Sequence, residues 1–256
     1  MTQSLHLIAI VSLVAGGICA LLIALDLRRR PPHMWIMSLV WPLCALFGSV
    51  LVLIAYLTTG RAVKPGPGMA QGHTHEHHDH HGHHEHHGHA HGHMPAHSFP
   101  VSVMHGTLHC GSGCTLGDLL AETLAALIPA LPLLFGYPWL FGDQIFAVWI
   151  LDFLLAFGFG IAFQYFAIKP MRDITVRQAL VDALKADAAS LIAWQVGMYG
   201  FMAVAHFWLF PQVLGQPLTP LSAEFWFAMQ IAMLCGFVTS YPMNWALLRA
   251  GVKEPM

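Results

Sequence analysis

The sequence predicts an all-α fold, a polytopic transmembrane bundle of five to six membrane segments with a disordered histidine-rich loop. Hydrophobic residues make up 56% of the 256 residues and charged residues only 9%, whereas soluble domains carry about 25% charged residues. Apolar stretches of the roughly 20 residues that a helix needs to cross a bilayer recur along the chain. They lie at about 5–27, 35–57, 144–168, 188–210 and 222–247.

The first two apolar stretches predict an N-terminal transmembrane helical hairpin over residues 1–57. The first stretch lacks the basic residues that begin a cleavable signal, and it carries three arginines, at 28–30, after its apolar part. Because cytoplasmic loops are rich in Lys and Arg, these arginines favour an N-terminus outside the cell. Two prolines end the first helix, and Pro42 is expected to kink the second.

Residues 58–104 predict a disordered, exposed loop between two membrane modules. The segment is rich in Gly, Pro and His and has too little apolar content to fold alone. Most of the 19 histidines lie between residues 73 and 97. Neutral imidazoles at this density bind copper, zinc or nickel ions, although a low-complexity expansion without a selected role is the alternative.

Residues 105–256 predict a four-segment membrane domain whose first segment is ambiguous. Lys and Arg cluster after the stretch 144–168 and again after the last one, so both places are expected to be cytoplasmic. Residues 115–141 contain the interruptions PALP and FGYP, which favour a re-entrant or broken hairpin over a complete crossing. With that hairpin, the N-terminus and the histidine-rich loop lie outside, and a complete crossing reverses both.

The stretch HGTLHCGSGCTLGDLLAE, residues 105–122, predicts a metal or redox site. Its potential ligands are His105, His109, Cys110, Cys114, Asp118 and Glu122. The last four follow one another at steps of four residues, so a helix would stack them on one face. The two glycines of CGSGC disfavour a helix, however, and a turn would wrap the cysteines around one ion or allow a disulfide. The alternative is a structural turn whose two carboxylates complement a helix N-terminus.

Two methionine pairs suggest a path for a soft ion within the bundle. Met198, Met202 and His206 follow at four-residue steps on one helix, and Met229 and Met233 do so on the next. Thioethers prefer soft ions such as Cu(I), so the first three residues are candidate ligands. Methionine is also an ordinary packing residue, and a histidine beside Trp208 is typical of an interfacial anchor.

Asp152 lies well inside a predicted membrane helix and is a further candidate for function. The alternative is that Asp152 has no functional role and accepts hydrogen bonds from side chains on neighbouring helices. We find no Walker loop, nucleophile elbow, HExxH motif or dinucleotide fingerprint, so no enzymatic activity is expected. The charge pattern offers no surface for nucleic acid.

The second module resembles a family of small prokaryotic multi-pass membrane proteins classed as a domain of unknown function. The elements that carry the resemblance are HCGSGCTLGD, GMYGFM and QIAMLCGFVTSYPMN with the final GVKEPM, and it covers about residues 101–256. The resemblance implies a four-helix membrane domain in a prokaryotic cytoplasmic membrane and a link to copper oxidases or metal resistance. It assigns no catalytic residue.

These observations predict a membrane protein that binds and translocates or delivers a soft transition metal, with copper as the first choice. The histidine loop would collect ions outside, and the motif at 105–122 and the residues Met198, Met202 and His206 would bind them in turn. The expected partners are the lipid bilayer, the metal ion and a metallochaperone or cuproenzyme. The alternatives are a non-transporting assembly or scaffold subunit with a structural Cys pair, and a membrane thiol oxidoreductase.

Overall fold

The structure, a computed structural model, describes residues 2–32, 34–61, 98–169 and 174–254. The histidine tract 73–97 and most of the predicted loop 58–104 lie outside the described residues, so their disorder and metal binding stay predictions. The described residues form seven α-helices. These are α1 (Thr2–Arg29), α2 (Met37–Ala55), α3 (Phe99–Leu127), α4 (Leu131–Leu134), α5 (Gln144–Ile168), α6 (Val176–Val204) and α7 (Ala223–Arg249).

The predicted all-α membrane bundle is confirmed. Two π-helical segments, Tyr56–Gly60 and Ala205–Val213, extend α2 and α6. Within the described residues, five helical stretches are long and apolar enough to cross a membrane, and they correspond to the five apolar stretches of the sequence. They are Gln3–Arg29, Met37–Gly60, Gln144–Ile168, Val176–Val213 and Ala223–Arg249.

The second of these stretches folds back on itself. Ser49 interrupts α2 with φ 42° and ψ −121°, and the ring of Trp41 lies 5.5 Å from that of Tyr56. In a straight helix these two residues would be about 22 Å apart at 1.5 Å per residue. Met37–Gly60 is therefore a helical hairpin with its tip at Ser49, and it enters and leaves the bundle at the same end.

The tip of this hairpin is held in the middle of the bundle. The side-chain amide of Gln230 donates a hydrogen bond of 2.6 Å to the Leu46 carbonyl, which satisfies a backbone group that the break exposes. A Cβ placed on Gly16 of α1 would lie 2.6 Å from the same carbonyl oxygen and 3.2 Å from the Ser49 hydroxyl. The hairpin tip thus packs against the middle of α1, where the absence of a side chain lets the backbones meet.

Helix α3 corrects two sequence predictions. It runs without a break through CGSGC to Leu127, so the predicted turn at this motif is wrong. The predicted broken hairpin over 115–141 is also wrong, because the chain leaves helical geometry only at Ile128, after α3 has run alongside α5. The prolines of PALP lie in the short connection around α4.

The glycines of α3 allow close helix packing instead of a turn. A Cβ on Gly113 would meet the backbone of Gly160 at 2.8 Å, and one on Gly117 would meet the backbone of Ala156 at 2.6 Å. Small residues of this kind let membrane helices approach closely. Since Gly113 faces Gly160 and Gly117 faces Ala156, α3 and α5 are antiparallel.

The helix directions define two ends of the bundle. The side chains of His6 and Glu224 are 2.7 Å apart and those of Ser12 and Gln230 are also 2.7 Å apart, so α1 and α7 are parallel. We call the end where α1, α5 and α7 finish and α3 and α6 begin the basic end. Every Lys and Arg that the structure describes belongs to the half of the bundle at this end. These residues are Arg28, Arg29, Arg30, Arg61, Lys169, Arg177, Lys185, Arg249 and Lys253.

Candidate functional site

The most polar feature of the interior is one face of α3. Cys110, Cys114, Asp118 and Glu122 are all buried, with exposures of 0, 0, 2 and 8%. Because α3 is continuous, they stack at intervals of four residues, as the helical alternative of the sequence analysis predicted. We call these four residues the donor ladder. It spans about 18 Å along the helix axis at 1.5 Å per residue.

At the basic end of the donor ladder, Cys110 contacts a buried ion pair. Its thiol lies 2.7 Å from Asp187 Oδ1 and 3.0 Å from the hydroxyl of Ser190. The same carboxylate oxygen accepts a hydrogen bond of 2.7 Å from Lys253 Nζ. Both side chains of this ion pair are fully buried, which is costly unless the charges are paired and hydrogen-bonded.

Lys253 reaches this position from the C-terminal segment that follows α7. Gly251 has φ 68° and turns the chain back toward the bundle. The Lys253 ammonium then donates to Asn244 Oδ1 at 2.9 Å, and it contacts Cys110 Sγ at 3.3 Å and the Gly106 carbonyl at 3.4 Å. Burial acts to lower the pKa of Lys253, but Asp187 and then Cys110 outweigh it and hold the pKa above its usual value. The amine is therefore charged.

A carboxyl pair occupies the centre of the bundle. Asp118 lies beside Asp152 of α5, and Asp152 Oδ2 accepts a hydrogen bond of 2.7 Å from the Tyr199 hydroxyl. Neither oxygen of Asp118, nor Oδ1 of Asp152, has a hydrogen-bond partner among the described residues. Asp152, a candidate from the sequence, is thus joined by Tyr199, which the sequence analysis missed.

A cavity of about 260 Å³ adjoins this pair. Asp118 and Thr115 of α3 line it, together with Met229, Gln230 and Met233 of α7. Met198 and Met202 of α6 belong to the buried core together with Met229 and Met233, but of these four only Met229 and Met233 line this cavity. This arrangement places two soft sulfur atoms and one unpartnered carboxylate around the same space.

A second cavity, of about 120 Å³, lies at the end opposite the basic end. Glu122, Asp143 and His206 are among its lining residues, and His206 Nε2 is 3.1 Å from Asp143 Oδ2. Asp143 also caps α5 by accepting a hydrogen bond of 3.0 Å from the Ile145 backbone. Burial acts to raise the pKa of Asp143, but this backbone bond and then His206 hold it below its usual value. Predicted ligand His206 thus lies near Glu122.

The remaining predicted ligands do not converge on one ion. His105 contacts Thr59 Oγ1 at 3.0 Å and the ring of Trp41 at 5.4 Å, both on the α2 hairpin. His109 is fully buried near Phe163, and neither ring nitrogen makes a well-formed hydrogen bond to a residue that the structure describes. All five cysteines are free thiols, so Cys110 and Cys114 form no disulfide. In the described part of the chain, no three His, Cys, Asp or Glu side chains are arranged to hold one metal.

The sequence analysis missed the partners of Cys110. Asp187 was overlooked because the predicted membrane stretch began at residue 188, whereas α6 begins at Val176. The signal was present, since an ionisable residue inside a membrane helix marks a candidate site. Lys253 and Asn244 gave no such signal, because only the fold brings the C-terminal segment against α3.

One known protein family matches the second module of the chain. The domain of unknown function DUF4396 matches residues 101–253. The chain belongs to this family. The match contains the whole donor ladder, Asp187 and Lys253, and leaves α1 and α2 outside. It confirms the resemblance that the sequence motifs indicated. No curated protein and no solved structure matches the chain.

Proposed function

We propose that the protein translocates a soft transition-metal cation, with Cu(I) as the first candidate, along the donor ladder of α3. The observation that carries this proposal is the burial of Asp118 with no hydrogen-bond donor to either carboxyl oxygen in the part of the chain that the structure describes. A buried polar group without a partner costs about 1–3 kcal/mol, and an ionised one more. Such a residue inside a membrane bundle is typical of an ion or proton pathway.

The chemistry of the donors favours a soft ion. Cys110 and Cys114 supply thiols on the ladder, and Met229 and Met233 line the cavity beside Asp118. Thiolates and thioethers prefer Cu(I) to hard cations such as Mg²⁺ or Ca²⁺. Because the ligands are spread along α3, we propose successive weak sites instead of one storage site, as a path for release requires.

The proposed route runs between the two ends of the bundle. The cavity with Glu122, Asp143 and His206 forms one mouth. From there the ladder passes Asp118 and the methionine-lined cavity and ends at Cys110. Neighbouring ladder residues are about 6 Å apart along the helix, a step that one ion can make between them.

We further propose that the protein lies in a prokaryotic cytoplasmic membrane with its basic end in the cytoplasm. Lys and Arg mark cytoplasmic ends of membrane helices, and all those described share one half of the bundle. Arg61 and Phe99, which flank the histidine-rich segment, both lie at this end. This topology favours a cytoplasmic histidine tract, on the opposite side from the one that the sequence analysis predicted, and a partner that exchanges copper there.

Copper flux into proteoliposomes tests the function. We expect wild-type protein to carry Cu(I) into vesicles that contain a copper indicator, and Asp118→Asn to reduce the initial rate by at least about tenfold, equivalent to 1.4 kcal/mol. Asp182→Asn, which changes a carboxylate on α6 outside the ladder, is the matched control and should keep the wild-type rate. Equal rates for all three proteins, or no flux above empty vesicles, would contradict the proposal and favour the scaffold alternative.

A second candidate function is proton conduction. Asp118, Asp152 and Tyr199 form a buried chain that can hold and pass a proton, as carboxylate relays in membrane pumps do. The same vesicles, filled with a pH indicator and given a pH gradient without copper, test this candidate. Proton flux that Asp118→Asn abolishes would make the proton the cargo or the coupling ion.

A further inference from the structure

The ammonium of Lys253 sits in a shell of acceptors that resembles a cation site. Asp187 Oδ1, Asn244 Oδ1, Cys110 Sγ and the Gly106 carbonyl lie between 2.7 and 3.4 Å from Nζ. A carboxylate, an amide oxygen, a sulfur and a carbonyl are together a donor set for a thiophilic metal ion. An ammonium group has three protons, so four acceptors exceed what it satisfies.

The shell contains an oxygen atom that could bind a metal ion and that Lys253 does not contact. Asp187 Oδ2 has no partner among the described residues although the residue is fully buried. Ser190 donates to Asp187 Oδ1 at 3.1 Å and adds a hydroxyl oxygen beside Cys110. A buried carboxylate oxygen without a donor is costly, and a metal ion that binds Asp187 through this oxygen would remove the cost.

Lys253 is attached so that it can leave without moving a helix. The segment after α7 is held by hydrogen bonds of 3.1 and 3.3 Å from the backbones of Val252 and Lys253 to the Leu247 carbonyl. Val252 is 47% exposed, whereas Lys253 is 2% exposed. Only the lysine side chain therefore enters the bundle, and a rearrangement of Gly251 and the residues after it would withdraw it.

We propose that Asp187, Cys110, Asn244 and the Gly106 carbonyl form a metal-binding site and that Lys253 is a built-in competitor for it. This inference rests on the proposed function for the identity of the natural ion, Cu(I), but not for the existence of the site. A divalent ion would displace the Lys253 ammonium to water, and the Cys110 thiol would release one proton to water. The site is neutral before, with Asp187 and Lys253 charged. With Asp187 and the deprotonated Cys110 as ligands, it is neutral after it binds a dication such as Co²⁺ and carries one negative charge after it binds the monocation Cu(I).

Withdrawal of Lys253 then controls entry to the donor ladder at the basic end. With the lysine in place, Cys110 is covered and a metal ion cannot reach Cys114 from this end. With the lysine displaced, Cys110 becomes the first ladder ligand. Lys253 thus blocks the site, and an incoming metal ion must replace its positive charge.

Cobalt binding to full-length protein in detergent tests this site. A cysteine thiolate bound to Co²⁺ gives a sulfur-to-metal charge-transfer band, which histidine ligands on the rest of the chain do not give. We expect Lys253→Met to show the band at a Co²⁺ concentration at least about tenfold lower than wild type requires, a difference of 1.4 kcal/mol. Lys253→Arg keeps the charge and should behave as wild type.

Two double variants identify the thiol. Lys253→Met with Cys110→Ser should lose the band, while Lys253→Met with Cys235→Ser, the matched control on a half-buried thiol of α7, should keep it. A folded Lys253→Met protein without the band, or a band that survives Cys110→Ser, would overturn the proposal. Loss of copper flux in Asp118→Asn with no cobalt band would leave the proposed function standing and refute only this site.

Wild-type protein supplies a second test in case Lys253→Met does not fold. Acetylation of lysines by a water-soluble ester is read by mass spectrometry with and without Co²⁺, and Lys169 and Lys185 serve as internal references. We expect Co²⁺ to raise the labelling of Lys253 several-fold relative to both references, because a displaced amine is exposed. Labelling of Lys253 that Co²⁺ leaves unchanged would overturn the proposal.

Discussion

The two polar clusters on the donor ladder differ in what balances their charge. Cys110 belongs to a cluster in which Asp187 is paired with Lys253. Asp118, two helical turns further along α3, lies beside the carboxyl group of Asp152, and no Lys or Arg of the described residues pairs with it. About 12 Å of helix separates Cys110 from Asp118 at 1.5 Å per residue. One cluster therefore contains its own cation and the other does not.

The same difference separates stability from transport. A paired buried charge cannot be removed without leaving its partner alone, so the cluster at Cys110 should be important for folding. The unpartnered carboxyl group of Asp118 costs stability in the folded state, so its presence needs a functional reason.

Orientation should give an all-or-none result. We expect Ser98→Cys, at the basic end, to be protected from a membrane-impermeant maleimide in intact cells and Thr219→Cys, in the exposed loop before α7, to be labelled. Both should react after the membrane is opened. The reverse pattern would place the cluster with its own cation outside and would refute the cytoplasmic basic end.

Breaking the ion pair should have the largest effect on stability. Asp187→Asn leaves the Lys253 charge buried without its partner and is expected to lower the free energy of unfolding by about 3–5 kcal/mol. The double variant with Lys253→Met should recover part of the loss. Asp26→Asn, which breaks the exposed pair with Arg61 at 2.9 Å, is the control and should cost about 1 kcal/mol or less. Thermal unfolding in detergent measures all three, and a loss at Asp187 no larger than at Asp26 would contradict the contrast.

The contact of α3 with α5 beside Asp118 should tolerate no added methyl group. In Gly117→Ala, the new Cβ would meet the Ala156 backbone at 2.6 Å, and such overpacking costs about 1–3 kcal/mol. Gly158→Ala places a methyl group where nothing lies within 4 Å and should be neutral or stabilising, since Ala favours a helix by about 0.5–1 kcal/mol. Equal unfolding temperatures for the two variants would mean that α3 and α5 do not pack as described.

Substitution of Asp143, in the cavity at the end opposite the basic end, should have the smallest effect on stability, and this effect should depend on pH. The pKa of Asp143 is held low in the folded protein, so its contribution is present at neutral pH and is lost as pH falls through the folded pKa, below its ordinary value. Asp143→Ala should cost about 1 kcal/mol at pH 7, because a helix cap is lost. The variant should also lose less stability than wild type on acidification, and identical acid profiles would show that Asp143 does not contribute.

Regular features of this molecule could be predicted from the sequence, and features that depend on tertiary contacts could not. Hydropathy predicted the five apolar stretches, because length and composition set them. The four-residue spacing predicted the donor ladder once a helix was assumed. Glycine propensity misled at CGSGC, since Gly111 packs against the ring of Trp194 and Gly113 against the backbone of Gly160. Tertiary context here overrides local preference.

The α2 hairpin and the Lys253 contact were beyond sequence reasoning for a related reason. The residues around Ser49 do not distinguish a helical hairpin from a straight helix, because the tip of the hairpin is stabilised by Gln230, which is distant in the sequence. Lys253 is 66 residues from Asp187 in sequence. Both features depend on contacts between residues that are far apart in the sequence, so neither could be predicted from local patterns.

X-ray absorption of wild-type protein loaded with one equivalent of Cu(I) tests the central claim most directly, namely that the donor ladder binds a soft cation. The account predicts sulfur scatterers around copper and fewer of them in the Cys110→Ser/Cys114→Ser double variant, in which only the thioethers of Met229 and Met233 remain beside the ladder, with the Cys19→Ser/Cys235→Ser variant unchanged. A spectrum with nitrogen scatterers alone, identical in all three proteins, would show that histidines hold the metal and would contradict a role for the ladder.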